Sequence, residues 1–291
     1  MTTLQFGGIT VDEDYGTGFH LTRLVGWYDA APTRYSAAER PQAHGSFRPG
    51  KIFRAPRVVS VEGSWSGDTI EEAYVAQQAL AGVQADGYES PMTVTDVLGS
   101  TTVTAGLSGA PTMDDQLYSP FFRFAFDVIA ADPFRYGPVE SDSAGVPTPS
   151  TGLSWPLGSP RAETPDVTTG PFWDWGTDGE TGRVQTANVG NAETFSTFDV
   201  TGGLSGGFLL TWVPTGDEIR FERTILDGSV VNVDPRTGRA TIDGQSDVSG
   251  YLTRANWWPI AAGQTGEVQF TPLGTVTGTP TLTAHTRPAY P

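Results

Sequence analysis

The chain has 291 residues, of which 37% are hydrophobic and 17% charged, with 36 Gly and 22 Pro. This composition disfavours coiled coils and long helices, and it favours short strands joined by tight turns. The formal net charge of −16 argues against nucleic-acid binding through clustered Lys and Arg, and the lack of Cys excludes disulfides and thiolate metal sites.

No stretch approaches the ~20 consecutive apolar residues that a membrane helix requires, so we expect no membrane insertion. The segment Met1–Gly8 has neither the basic cluster nor the apolar core of a signal peptide, which predicts synthesis in a cytoplasm. At roughly 150 residues per domain, the length predicts two domains.

The stretch from Gly26 to Gly50 is a long segment without strand or helix pattern. Long loops of this kind inside a compact domain are usually functional or mobile. The loop contains Arg34, Tyr35, Arg40, Pro41, His44 and Arg48. We therefore predict a contact arm between residues 26 and 50.

A strand and a helix are predicted next. Residues 57–65 alternate between apolar and polar side chains. Asp68 is a favourable N-cap residue, and Glu71 stands where it completes a capping box. Apolar residues then repeat at helical spacing until Gly82, a natural end signal. This pattern predicts one substantial helix, near 69–82.

Three further strands are predicted in the first half. Met92–Leu98 and Thr101–Ala105 would flank a turn at Gly99-Ser100. Phe121–Ala130 is rich in aromatic and β-branched residues, which suits a strand buried on much of both faces. Residues 1–140 thus predict a mainly β domain with one helix.

Residues 141–171 are dense in Pro, Ser, Thr and Gly, which predicts a linker, and Leu153–Leu157 within it has the apolar mass of a lead-in strand. Beyond it, short strands at even intervals predict an antiparallel β-sandwich or jelly roll over residues 172–291. The predicted strands are Arg183–Val189, Thr194–Val200, Phe208–Val213, Asp217–Phe221, Ser229–Val233, Arg239–Ile242, Gly266–Phe270 and Thr279–Thr286.

Two motifs imitate functional sites. Gly203–Gly207 fits the nucleophile-elbow pattern around Ser205, with His285 later in the chain, but a strand-like run follows where an elbow requires a helix. The loop Asp174–Glu180 has oxygens for calcium without the EF-hand spacing, and a solvated acidic loop is the alternative. No glycosidase pair can be chosen among the many carboxylates. We predict no catalytic, cofactor-binding or metal-ligating residue.

Tryptophan is concentrated in the second half. Most of these side chains are expected to fill the sandwich core, because large aromatics provide much of its burial. Trp173 and Trp175 are flanked by Pro171, Gly176 and acidic residues, so we expect them to be exposed. There they would stack on a sugar ring or anchor a partner.

Three stretches of the second half carry a family resemblance: Gly190–Gly202, Asn256–Gly263 and Gly266–Phe270. Each is a short strand-like run between turn residues. In this order, after an N-terminal half of different character, they resemble the C-terminal β-sandwich of siphophage distal tail proteins. Two departures affect local turns. Ser196 stands where many relatives have proline, and the turn Gly263–Gly266 is longer than usual and lacks asparagine.

The resemblance implies a structural, non-enzymatic minor tail protein at the virion tail tip of a bacteriophage with a long, non-contractile tail. Residues 1–140 would form a barrel-like hexameric ring, with Phe19-His20-Leu21 as its first strand. Arg34, Tyr35, Arg40 and Arg48 would lie in an inter-subunit loop. The galectin-like sandwich would project outward. The partners implied are further copies of the chain, the tail tube protein, the tail-tip hub or baseplate protein and the tape measure protein. No cofactor is implied. An acidic lumen would let DNA pass without sticking.

Two other functions stay open. The sandwich is alternatively a carbohydrate- or receptor-binding module for host adhesion, with the tryptophans at a glycan site. A hydrolase of cell-wall polymers is the third possibility. Three measurements distinguish these functions. The assembly state tests the tail ring, and loss of sugar binding in Trp173→Ala or Trp175→Ala tests the binding module. Turnover of host wall material tests the hydrolase.

Overall fold

A computed structural model describes residues 2–14, 16–34, 36, 38–47, 50–114, 118–150 and 178–291. The chain divides into two compact units. The first consists of Met1–Pro138, Gly190–Ala192 and Pro288–Pro291, and the second of Val139–Val189 and Glu193–Arg287. Within the described ranges, no helix is both long enough and apolar enough to span a membrane.

The first unit consists of β-strands and one α-helix among its described residues. The strands are β1 (Thr3–Phe6), β2 (Ile9–Asp12), β3 (Gly18–Val25), β4 (Thr33–Arg34), β5 (Phe53–Arg54), β6 (Arg57–Ser66), β7 (Ser90–Asp96), β8 (Gly99–Leu107), β9 (Thr112–Asp114), β10 (Phe121–Ala130), β11 (Arg135–Tyr136) and, from the end of the chain, β23 (Ala289–Tyr290). The helix, α1, spans Ile70–Ala81.

Seven of these strands close into a barrel. They follow the order β8-β7-β1-β2-β3-β6-β10, and β10 pairs back onto β8. The β2–β3 pair is parallel, and the other neighbours in the barrel are antiparallel. Closure pairs strand edges that an open sheet would leave exposed. The predicted mainly β, barrel-like first domain with one helix is therefore confirmed.

Alternation along β10 fills the barrel interior. Phe122, Phe124 and Phe126 are buried, and the residues between them are half-buried or exposed. The Phe124 and Phe126 rings stack with centroids 6.1 Å apart. Opposite them on β6, a Cβ at Gly63 would lie 2.4 Å from the Phe124 ring, so a larger residue does not fit there. The predicted bounds of this strand are confirmed, but it is buried on one face rather than both.

The β7–β8 hairpin turns two residues earlier than the sequence predicts. Strand β7 ends at Asp96 and β8 already begins at Gly99, which leaves Val97 and Leu98 as the turn. The Asp96 carboxylate accepts a hydrogen bond from the Leu98 N–H at 2.7 Å. Aspartate at this position closes a turn through its side chain, which the dipeptide Gly99-Ser100 cannot do as well.

The N-cap of α1 is Thr69, one residue later than the predicted Asp68. The Thr69 hydroxyl accepts from the Glu72 N–H and the Glu72 carboxylate accepts from the Thr69 N–H, both at 3.3 Å. Asp68 and Glu71 have the same spacing, so the capping-box pattern fits both registers. Residue periodicity alone cannot choose between them. The predicted helix end at Gly82 is confirmed.

Replacing Thr69 by alanine is expected to destabilise the first unit by about 1 kcal/mol, because the Glu72 N–H loses its cap. The free energy of unfolding, measured by urea denaturation, checks this. Asp68→Ala is the matched control and should have the smaller effect. A larger loss of unfolding free energy in Asp68→Ala than in Thr69→Ala would mean that Asp68 is the N-cap, as the sequence predicts.

The second unit has two antiparallel sheets. Its strands are β12 (Glu140–Gly145), β13 (Arg183–Ala187), β14 (Thr197–Thr201), β15 (Phe208–Trp212), β16 (Asp217–Phe221), β17 (Val230–Asp234), β18 (Arg239–Ile242), β19 (Ser246–Asp247), β20 (Leu252–Ala255), β21 (Thr265–Pro272) and β22 (Thr281–Thr286), with a 3-10 turn at Ser249–Tyr251. One sheet has the order β12-β22-β14-β17-β18-β19 and the other β13-β21-β15-β16-β20. The predicted sandwich is confirmed.

Both sheets contribute to one hydrophobic core. Trp212 and Trp258 are buried and stack with ring centroids 6.0 Å apart. Trp257 is partly buried against the same core. The prediction that tryptophans fill the sandwich core is confirmed for these described residues.

Strand β12 corrects the predicted extent of the linker. The sequence predicts a linker from residue 141, whereas Glu140–Gly145 pairs along its length with β22, from Glu140 opposite Thr286 to Gly145 opposite Thr281. The strand is polar and lies at a sheet edge, so it lacks the apolar alternation that marks a strand in sequence. The predicted lead-in strand at Leu153–Leu157 lies outside the described residues.

Candidate functional site

The described part of the predicted contact arm contains hairpin-like strand pairing, where the sequence predicts an unpatterned loop. We call residues 33–54 the basic arm. Strands β4 and β5 pair at its base. Nearer its tip, Glu39 forms a bridge with Ser46, and the Phe47 N–H donates to the Ala38 carbonyl at 2.9 Å. The described residues of the arm therefore pair with each other at two separate places, at its base and nearer its tip.

The basic arm differs in charge from the rest of the chain. It contains five of the 17 Lys and Arg residues and one of the 33 Asp and Glu residues, so its formal charge is +4 and that of the remainder is −20. Its described residues are exposed apart from half-buried Ser46 and Arg54. The apolar side chains of Phe47, Ile52 and Phe53 are 58%, 45% and 61% exposed. This combination suits an acidic partner with apolar contact area.

Cations in the arm lie over its aromatic rings. The Arg40 guanidinium is 5.6 Å from the centroid of Phe47, and the Lys51 ammonium is 6.0 Å from that of Phe53. Such contacts orient the cations while leaving them at the surface. Arg34 is also exposed, on β4. The remaining predicted arm residues, Tyr35 and Arg48, lie outside the described residues.

The segment before the arm is fixed by a buried arginine that the sequence analysis missed. Arg57 is 1% exposed. Its Nε donates to the Pro133 carbonyl at 2.9 Å, and its Nη1 donates to the carbonyls of Gly26, Trp27 and Asp29 at 2.6, 2.9 and 2.8 Å. One guanidinium therefore ties the start of β6 to the segment that leads into the arm and to the corner after β10.

Electrostatics around Arg57 are unusual. Burial, and then the charges of Arg135 and Arg54, lower the pKa of Arg57 to about 10. Burial also lowers the pKa of Arg135. Arg54 donates from Nη1 to the Ala31 carbonyl at 2.8 Å. The burial of Arg57 was predictable from the sequence. Arg57 lies two positions before Val59, so both side chains are on the inward face of β6.

The second unit contains a chain of hydrogen-bonded side chains across four neighbouring strands. Ser141 Oγ lies 2.7 Å from His285 Nδ1, and His285 Nε2 lies 3.2 Å from Asp199 Oδ2. Asn232 Nδ2 donates to Asp199 Oδ1 at 2.6 Å. The chain links β12, β22, β14 and β17 on the solvent side of one sheet. We interpret it as cross-strand stabilisation, a role that polar pairs on a sheet surface commonly have.

The nucleophile-elbow motif does not have the geometry of an elbow. Ser205 Oγ accepts a hydrogen bond from the Thr275 N–H at 2.7 Å, and the partners of His285 are Ser141 and Asp199 instead. After Ser205 the chain continues into β15, a strand, where an elbow requires a helix. The prediction that Gly203–Gly207 is a turn rather than an elbow agrees with this geometry.

The predicted acidic loop lies partly outside the described residues. Asp174 is outside them, whereas Glu180 is described and donates its N–H to Thr148 Oγ1 at 3.0 Å. The described part of the chain contains no group of three or more His, Asp and Glu side chains arranged for a metal. Trp173 and Trp175 also fall outside the described residues, and their contact with a partner or glycan stays a prediction.

No protein-family model matches the chain. No curated protein sequence matches it either.

Structural comparison does find similar proteins. The crystal structure of the SPP1 Dit (gp 19.1) protein, described as a paradigm of the hub adsorption apparatus in phages that infect Gram-positive hosts, aligns with a TM-score of 0.63 at 14% identity, over 99% of both chains. A chain of the phage P2 baseplate, in its activated conformation with Ca, aligns with a TM-score of 0.51 at 12% identity, over 98% of both chains. Since the alignments span both units, the chain has the two-part fold of the SPP1 Dit hub protein.

Proposed function

We propose that this chain is a structural hub protein of a phage tail, located at the tail tip of the virion. The observation that carries this proposal is the extent of the structural likeness, which covers 99% of this chain and 99% of SPP1 Dit. Likeness in a single common domain would say little about function, because such domains recur in proteins of unrelated function. A barrel followed by a sandwich in the same order over the whole length is a more specific combination.

In this proposal the chain forms a hexameric ring at the distal end of a long, non-contractile tail. The ring joins the tail tube to the tip or baseplate, and DNA passes through its lumen. Its partners are the tail tube protein, the tip hub protein and the tape measure protein. The acidic body supports this role, because a surface charge of this sign repels DNA and keeps it from adhering.

The basic arm, with Arg34, Tyr35, Arg40 and Arg48, is the proposed contact between subunits. An arm of charge +4 on a body of charge −20 fits the body of another copy better than it fits another arm. Such a contact joins two different surfaces, so it is heterologous. Heterologous contacts build rings when the rotation between subunits closes.

Charge reversal in the arm tests this proposal. Arg34→Glu combined with Arg40→Glu should weaken assembly at least tenfold, measured by light scattering after size exclusion over a concentration series. Wild-type assembly should also weaken as NaCl is raised from 0.05 to about 0.5 M, because salt screens contacts between exposed charges.

Arg223→Glu combined with Arg239→Glu is the matched control. Both residues are exposed, lie in the second unit and give the same change in net charge. This control should assemble like the wild type. Equal assembly of the arm variant and the wild type would overturn the role of the arm. If the control assembled as weakly as the arm variant, the change in net charge alone would explain the loss of assembly.

A further inference from the structure

The exposed side of α1 is partly apolar. Five exposed residues follow one another at spacings of three and four positions, so they lie on one side of the helix. They are Glu71, Tyr74, Val75, Gln78 and Ala79, and we call them the α1 strip. Tyr74 and Val75 are 44% and 66% exposed. Valine is a poor helix former, so its presence at an exposed helical position does not serve the stability of the helix.

The α1 strip lies within a long acidic stretch of the chain. Between Arg57 and Arg123 the sequence contains nine Asp and Glu residues and no Lys, Arg or His. Glu71 is in the first turn of α1, and the last turn contains no basic residue. The C-terminal end of a helix has a partial negative charge that favours a nearby cation, and this helix supplies none itself. Cations from outside are therefore favoured near both ends of the strip.

The basic arm has the complementary properties. Its formal charge is +4, and the apolar side chains of Phe47, Ile52 and Phe53 are 58%, 45% and 61% exposed. Arg40 lies over the Phe47 ring, so the arm presents charge and apolar area at the same place. Single exposed apolar side chains are common on protein surfaces. Two surfaces that each combine apolar area with charge, of opposite sign, are suited to meet each other.

We propose that the α1 strip is the surface on which the basic arm of a neighbouring copy docks. The inference rests on the proposed ring and names the receiving surface of the contact. The exposed aromatic side chains of the arm pack against Tyr74 and Val75, and its cations approach Glu71 and the C-terminal end of α1. The strip is exposed among the described residues, so the chain's own arm does not cover it. Each copy then gives one arm and receives one, as a closed ring requires.

Site-specific crosslinking tests this contact, because the chain has no Cys. Ala43 is exposed in the arm, between the bridged residues Glu39 and Ser46, and Ala79 is exposed on the strip. Ala43→Cys and Ala79→Cys chains with different tags are mixed before assembly and treated with a short bismaleimide. We expect a covalent dimer that contains both tags. Ala43→Cys alone should give no such dimer, because two arms do not meet.

Ala262→Cys replaces Ala79→Cys in the control mixture. Ala262 is exposed in the second unit. The mixture with Ala79→Cys should give at least about tenfold more dimer, because docking raises the effective concentration of the two thiols. Light scattering of the same samples reports assembly. Assemblies in which Ala79→Cys crosslinks no better than Ala262→Cys would overturn docking on α1 and leave the ring standing. A chain that stays monomeric with tail tube protein present would overturn both.

Charge exchange between the two surfaces gives a second test. Adding Glu71→Arg to the arm variant Arg34→Glu with Arg40→Glu should restore most of the lost assembly, because opposite charges face each other again. Glu140→Arg makes the same change in net charge at an exposed position of the second unit, and it should not restore assembly. No better recovery with Glu71→Arg than with Glu140→Arg would contradict the pairing of the arm with the strip.

Discussion

Replacing Arg57 by methionine should destabilise the first unit by about 3–5 kcal/mol, in the range for breaking a buried charged network. Methionine has a similar apolar stem but no donor. Four carbonyls, those of Gly26, Trp27, Asp29 and Pro133, would each lose the hydrogen bond that Arg57 gives them. Leaving such groups unpaired in the interior is expensive, and this outweighs the cost of burying the charge itself. Urea denaturation measures the change.

Arg23→Met is the matched control for this substitution. Arg23 forms an ion pair with Glu62 at 3.4 Å, but its side chain is 64% exposed. Its loss should change the free energy of unfolding by less than about 1 kcal/mol. If Arg57→Met were as stable as Arg23→Met, the buried guanidinium would not be what anchors the segment leading into the arm.

Replacing Trp212 by alanine should destabilise the second unit by about 3–5 kcal/mol, the usual loss for a large buried aromatic side chain. Trp212 is 2% exposed, and its ring stacks on Trp258 at 6.0 Å. The ring occupies the space that Gly266 leaves open, since a Cβ on Gly266 would lie 2.1 Å from it. The substitution therefore leaves a cavity that neighbouring side chains cannot readily fill.

Val213→Ala is the control for the same end of β15. Val213 is 42% exposed, so its truncation should cost less than about 1 kcal/mol. Denaturation followed by tryptophan fluorescence gives both values. A loss below 1 kcal/mol for Trp212→Ala would mean that the stacked tryptophans are not central to the sandwich core.

The sequence predicts elements well where periodicity and burial agree. Strand β10 is found at the predicted residues because large apolar side chains recur at every second position from Phe122 to Val128 and form its buried face. The same holds for Asp217–Phe221 and Arg239–Ile242 in the sandwich. Strand β12 is polar on an edge, so its pairing with β22 depends on residues about 140 positions away, which no local pattern reports.

The candidate site is predictable in part. An exposed, basic segment was visible from Arg34 and Arg40, whereas its hairpin form depends on weak rungs such as the bridge of Glu39 with Ser46. The role of Arg57 required knowing that it faces inward and meets carbonyls 28 to 76 residues away. The same limit applies to His285, whose partner Ser141 is 144 residues distant.

The most direct test of the proposed function is the assembly state of the purified wild-type chain, by native mass spectrometry followed by negative-stain imaging. The proposal predicts a particle of six times the chain mass with a central hole, formed by the chain alone or once the tail tube protein is added. A monomer that persists at high concentration and in the presence of tail tube protein would contradict the ring.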